Sequence, residues 1–233
     1  MVRKTGRRKD GDAHYHGHRQ RLRERFLKAP DALPDYELLE LVLCLALPRG
    51  DVKPLAKALI DRFGGFAEAI AADAERLREI DGVGDSVVSA LKVVEAALAR
   101  FARGRVLGRP ALASWQALLD YCQASMSYGK TEQFSILFLD RKNVLIADEL
   151  QQQGTVDHTP VYPREVIKRA LELQASSIIM VHNHPSGDPT PSRSDIEMTK
   201  EIQEAGRRLG VALHDHLVIG RSGHRSFKSL GLL

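Results

Sequence analysis

Cysteine is scarce in this chain: two residues, Cys44 and Cys122, in 233. They lie far apart among apolar neighbours and read as small buried hydrophobes, which excludes a disulfide framework. No CxxC occurs, so four-cysteine zinc sites and the HxE…PCxxC deaminase pattern are excluded as well. Any metal here must be held by histidine and carboxylate. Long apolar runs are also missing. The longest, Leu38–Leu47, is ten residues and contains Glu40, too short to span a bilayer. The opening MVRKTGRRKDGD has no apolar stretch of signal-peptide type. No membrane partner is expected, and a cytoplasmic location is the default.

What is present is a net charge of +4, unevenly spread. Residues 1–28 hold ten Lys or Arg against three acids, Asp10, Asp12 and Glu24. Such an arm suits a polyanion such as DNA, attached through counterion release. It equally suits a solvated tail. His14, His16 and His18 lie within it, with no expected scaffold and no assigned role.

From Arg21 to about Arg103 the apolar spacing is helical, punctuated by Pro34, Pro48, Pro54 and Gly64-Gly65. The stretch RGRVLGRP, Arg103–Pro110, has the composition of a linker. Beyond it the pattern alternates. A helix runs from Ser114, a candidate N-cap, to Ser125. A hairpin turns at Asp140-Arg141-Lys142, and a helix opens at Pro163. SSIIMVH forms a buried strand, a helix spans Ser192–Leu209, and closing strands span 211–220 and 226–230. The expected organisation is a basic, disordered arm over 1–20 and an α-helical domain over 21–103. A linker over 104–112 and an α/β (α+β) domain over 113–233 follow.

Chemistry concentrates in HNHPSGDPTPSRSD, residues 182–195. Two residues apart on a strand, His182 and His184 project to one face, and Asn183 to the other. They stand at the strand's C-terminal end, where ligand crevices form in open α/β sheets. Paired neutral imidazoles suit zinc, nickel, copper or iron. Ten residues with three prolines and a glycine separate His184 from Asp195. That loop is stiff and turned back, able to return the carboxylate to the histidines. Two nitrogens and one oxygen leave a fourth tetrahedral position open, the arrangement of a catalytic zinc site. The same Ser192…Asp195 pair also reads as a helix N-terminal box, with Asp195 capping only. A second HxH pair, His214 and His216, has no acid at a comparable return spacing. It reads as core or as support for the first pair.

This segment matches the JAMM pattern: His-x-His, ten residues, then Asp, with Ser three before the Asp. Together with LHDHLVIG and the helical half containing YELLELVLCLALPRGDVKPLAKAL and IDGVG, the chain resembles the bacterial RadC (UPF0758) proteins over about residues 18–233. The resemblance implies a JAB/MPN fold for the C-terminal domain and zinc (Zn²⁺) at His182, His184 and Asp195. It also implies an upstream glutamate that works on water, by position Glu132, with Glu149 and Glu165 as competitors. Ser192 is implied as a donor to a developing oxyanion, though N-capping alone would account for it. The reaction implied is hydrolysis of an amide or isopeptide bond in a peptide or protein substrate.

LREIDGVGDSVVSALK resembles a helix-hairpin-helix, in which Gly82, Val83 and Gly84 would turn backbone N–H groups toward a DNA phosphate. Asp81 and Asp85 flank the turn and oppose this. The alternative function is therefore a DNA-binding, repair-associated module with a structural or vestigial metal site.

Overall fold

The computed structural model describes residues 12–111, 115–153 and 161–233. The chain divides into two compact units, the first ending at Ala97 and the second starting at Leu98. No helix among the described residues is long and apolar enough to cross a membrane.

The first unit is helical. Its elements are α1 (Asp12–Lys28), a 3-10 turn (Pro30–Ala32), α2 (Asp35–Ala46), α3 (Lys53–Phe63), α4 (Phe66–Ala71), α5 (Ala74–Arg78) and the start of α6 (Asp85–Val106). Leu39, Leu43, Ala56, Leu59, Leu77, Val87 and Leu91 recur at helical spacing and are fully buried together.

Helix is present from Asp12, the first described residue, so the part of the expected disordered arm from Asp12 to Gln20 is helical. The basic side chains explain why. Arg19 donates to the carbonyls of Leu47, Pro48 and Gly50 at 2.7–2.9 Å, a cation placed on the unpaired end of α2. Arg25 pairs with the buried Glu37 at 2.8 Å, and His18 Nε2 lies 2.6 Å from the buried Glu40. Part of the positive cluster thus holds α1 against α2.

The second unit layers helices on both faces of a five-stranded sheet. After the C-terminal turns of α6 come α7 (Trp115–Met126), β1 (Gln133–Leu139), β2 (Leu145–Gln153), α8 (Pro163–Glu172), β3 (Ser177–Asn183), α9 (Arg193–Arg208), β4 (Ala212–Gly220) and β5 (Gly223–Ser226). Strand order is β2-β1-β3-β4-β5, with β3–β4 parallel and the other pairs antiparallel. Alternation along the strands divides the core. Leu137, Ile179, Val181 and Leu217 pack with Leu118 and Cys122 of α7. Phe134, Ile136, Ile178 and Met180 pack on the other face with Val166 of α8 and Ile202 of α9.

Two boundaries differ from expectation. Of the linker expected over 104–112, the described residues 104–111 are not free: α6 continues to the buried Val106, Leu107 and Pro110 bridge to Leu145 and Val144, and Ala111 N–H donates to Asn143 O at 2.7 Å. Its glycines and arginines look linker-like locally, but the partner that orders it lies over thirty residues downstream. The last strand covers 223–226, and residues 227–230 form a turn around the buried Phe227. The proposed N-cap Ser114 and His158 lie outside the described residues.

Candidate metal centre

Strand β3 is buried along its whole length, which a run of β-branched and apolar residues between two helical layers requires. His182 sits opposite Phe134 of β1, on the face covered by α9. Asn183 points the other way and accepts from Gln133 N–H at 2.8 Å while donating to Gly129 O and Thr131 O. His184 follows as the strand ends, its Nδ1 2.9 Å from Asp188 O.

The loop 185–192 is held by more than its prolines. Gly187 has φ +91°, and a side chain there would meet Arg221. Arg221 in turn donates to Pro185 O and Ser186 O, and Ser222 Oγ donates to Gly187 O. Gly220 lets the β4–β5 turn approach closely, since a Cβ there would lie 2.3 Å from Gly187 O. The loop delivers the chain to α9, where both readings of Ser192 and Asp195 as a cap hold. Ser192 Oγ accepts from Asp195 N–H at 3.1 Å, and Asp195 Oδ2 accepts from Ser192 N–H at 2.7 Å. The same carboxylate reaches the histidines, with Oδ1 3.4 Å from His182 Nε2 and Oδ2 3.4 Å from His184 Nε2. The two Nε2 atoms are 3.0 Å apart.

Among the described residues this is the group of His, Cys, Asp and Glu placed to hold a metal ion, with one ligand atom of each within 4.8 Å of the others. Burial works against the Asp195 charge, but the neighbouring His182 and His184 rings and the Ser192 hydroxyl hold the carboxyl far below the usual carboxylate range. The Asp195 carboxylate beside it raises the His184 pKa against burial, helped by the Asp188 carbonyl and the charge of Glu132.

Glu132 immediately precedes β1, in the segment anchored on both sides by Asn183. Its competitors are placed otherwise. Glu149 on β2 is held by Arg169 in a two-pronged pair at 2.6 and 2.8 Å, which lowers its pKa. Glu165 lies exposed in the first turn of α8, beside Arg164. Ser192 Oγ also contacts Asp195 Oδ2 and Ser194 Oγ, at 2.7 and 2.8 Å.

The second histidine pair is split. The β3–β4 register passes from Ile178–Leu213 to Ile179–Asp215, leaving His214 as the extra residue of a bulge. His214 lines a small cleft of about 210 Å³ with Trp115 and Lys228, whereas His216 is fully buried with Nε2 2.7 Å from His182 Nδ1. Burial lowers the His216 pKa well below the usual histidine range. Thr199, which no local sequence signal marks, lies 2.6 Å from His216 Nδ1.

In the helical unit, Val83 does not fit the phosphate-facing set Gly82, Val83 and Gly84. Its N–H donates to Ile80 O at 3.0 Å and its side chain joins the core. Asp85 is paired with Arg78 at 2.9 Å.

Helices on both faces of a mixed sheet, with the His-x-His strand end and its returned aspartate, define a domain of the JAB/MPN class. The family model that matches, over residues 112–232, is that of a RadC-like JAB domain. A UPF0758 protein of Rhodobacter capsulatus is 64% identical over 213 residues, 91% of this chain and 100% of the relative. A UPF0758 protein of Ruegeria pomeroyi is 60% identical over 217 residues, 93% of this chain and 97% of that one. The chain belongs to the RadC (UPF0758) family.

Proposed function

We propose that this protein is a zinc-dependent metallohydrolase, a peptidase or isopeptidase, with an accessory helical unit. The observation that carries the reading is the convergence of His182 Nε2 and His184 Nε2, 3.0 Å apart, on the Asp195 carboxylate, whose Oδ1 lies 3.4 Å from the first and Oδ2 3.4 Å from the second. Ligands 2.0–2.1 Å from a tetrahedral zinc stand about 3.4 Å from one another, so the donor set fits in both chemistry and spacing. Zinc bound there would supply Lewis acidity toward water and the scissile carbonyl.

The chain's own groups supply the rest. Glu132 takes a proton from the attacking water and returns it to the leaving nitrogen. The Asn183 bonds to Thr131 O and Gln133 N–H fix the backbone on either side of that carboxylate. Ser192, at the N-terminus of α9, presents a hydroxyl toward the developing oxyanion, where the helix N–H groups also favour negative charge. Metal analysis tests the ligand set. About one zinc per chain is expected for the wild type, and none for His182→Ala or Asp195→Ala. Retention of stoichiometric zinc by both variants would overturn the assignment.

The alternative, a DNA-binding, repair-associated module, draws less support. Arg19 and Arg25 are engaged within the helical unit, and Val83 faces inward.

A further inference from the structure

Thr199 lies one helical turn beyond Asp195 on α9 and is fully buried. Its Oγ1 is 2.5 Å from Asp195 O and 2.6 Å from His216 Nδ1. A carbonyl oxygen can only accept, so the single hydroxyl hydrogen of Thr199 goes to Asp195 O. Toward His216 the hydroxyl then offers lone pairs alone, and His216 Nδ1 must carry the hydrogen. His216 is buried against the rings of Phe134 and Phe227 and is a neutral imidazole with one N–H. Its Nε2 is therefore bare and accepts from His182 Nδ1 at 2.7 Å. His182 is left with a bare Nε2, the nitrogen that faces Asp195 and His184.

We infer that Thr199 and His216 are positioning residues. They form a hydrogen-bond chain of fixed direction that holds His182 in its Nδ1–H tautomer and turns the Nε2 lone pair toward the metal position. This rests on the metal reading above and adds its means of preparation. His184 reaches the same tautomer by a shorter route, donating Nδ1–H to Asp188 O. An unconstrained imidazole favours the hydrogen on Nε2, the wrong nitrogen for this site. His182 is fully buried, so its tautomer is set by its partners within the fold. Asp195 and Thr199 are four residues apart on one helix, so a single turn of α9 sets both the carboxylate ligand and the polarity of the chain. Thr199 does this without touching a ligand imidazole.

The test is nitrogen-15 NMR of histidine tautomers in the metal-free protein, paired with zinc affinity by chelator competition. The wild type should show His182 and His216 both as Nδ1–H. Thr199→Val keeps the shape but removes the acceptor. It should shift His182 toward Nε2–H and weaken zinc binding about 10- to 100-fold. Thr199→Ser should restore both readouts, a rescue that a merely space-filling role would not predict. A wild-type His182 in the Nε2–H form would overturn the proposal, and so would unchanged zinc affinity and tautomer in Thr199→Val. The wild-type spectrum decides even where a variant fails to fold. If the wild type binds no zinc, the metallohydrolase reading falls, while the tautomer measurement still judges the chain.

Discussion

Asp195 serves the helix and the candidate metal at once, and the two duties separate by substitution. Asp195→Asn keeps a cap acceptor but removes the charge. It should cost no more than about 1 kcal/mol in thermal or denaturant unfolding yet abolish zinc binding in metal analysis. Ser192→Ala removes the hydroxyl of the same cap and should cost about 0.5–2 kcal/mol. Glu149 illustrates a carboxylate held in an ion pair, with Arg169. Arg169 holds its pKa down, so its stabilising effect is present above the unfolded value and is lost as pH falls through the folded one. The pair is about a third exposed. Glu149→Gln should therefore cost only a few tenths of a kcal/mol to about 1 at neutral pH, with the difference from wild type vanishing in acid. A cost that grows on acidification would contradict this.

At the scale of the element, the loop 185–192 works as a rigid return between β3 and α9. Gly187→Ala strains a φ of +91° and presses on Arg221. It should weaken zinc affinity while leaving the circular dichroism of the fold unchanged. The grouping of His182, His184 and Asp195 was legible in the sequence because it is local: a strand end, a proline-rich turn and a helix start within fourteen residues. What depends on pairing between distant segments was less so. The end of β1 that follows Glu132 is brought beside β3 by a ladder in which Phe134 meets His182. His216 reaches His182 only because the bulge at His214 resets the β4 register. In HDH as a string nothing shows that the two histidines part company. The segment 104–111 misled for the same reason, since its bridges to Val144 and Leu145 are non-local.

Across the whole molecule, charge that reads as a binding arm is partly spent inside. Arg19 satisfies three carbonyls at the end of α2, and Glu37 and Glu40 draw α1 inward. Arg19→Ala should destabilise the helical unit by about 1–3 kcal/mol and speed limited proteolysis within α1, without changing zinc content. In the other unit the proposed function has zinc held by His182, His184 and Asp195, with Glu132 doing the proton work beside it. The most direct measurement is cleavage of a peptide library by zinc-loaded wild type and zinc-loaded Glu132→Gln. Cleavage by the wild type is expected, with a loss of about 10²–10⁴-fold in the variant at equal zinc content. A Glu132→Gln protein that cleaves as fast as the wild type would contradict it.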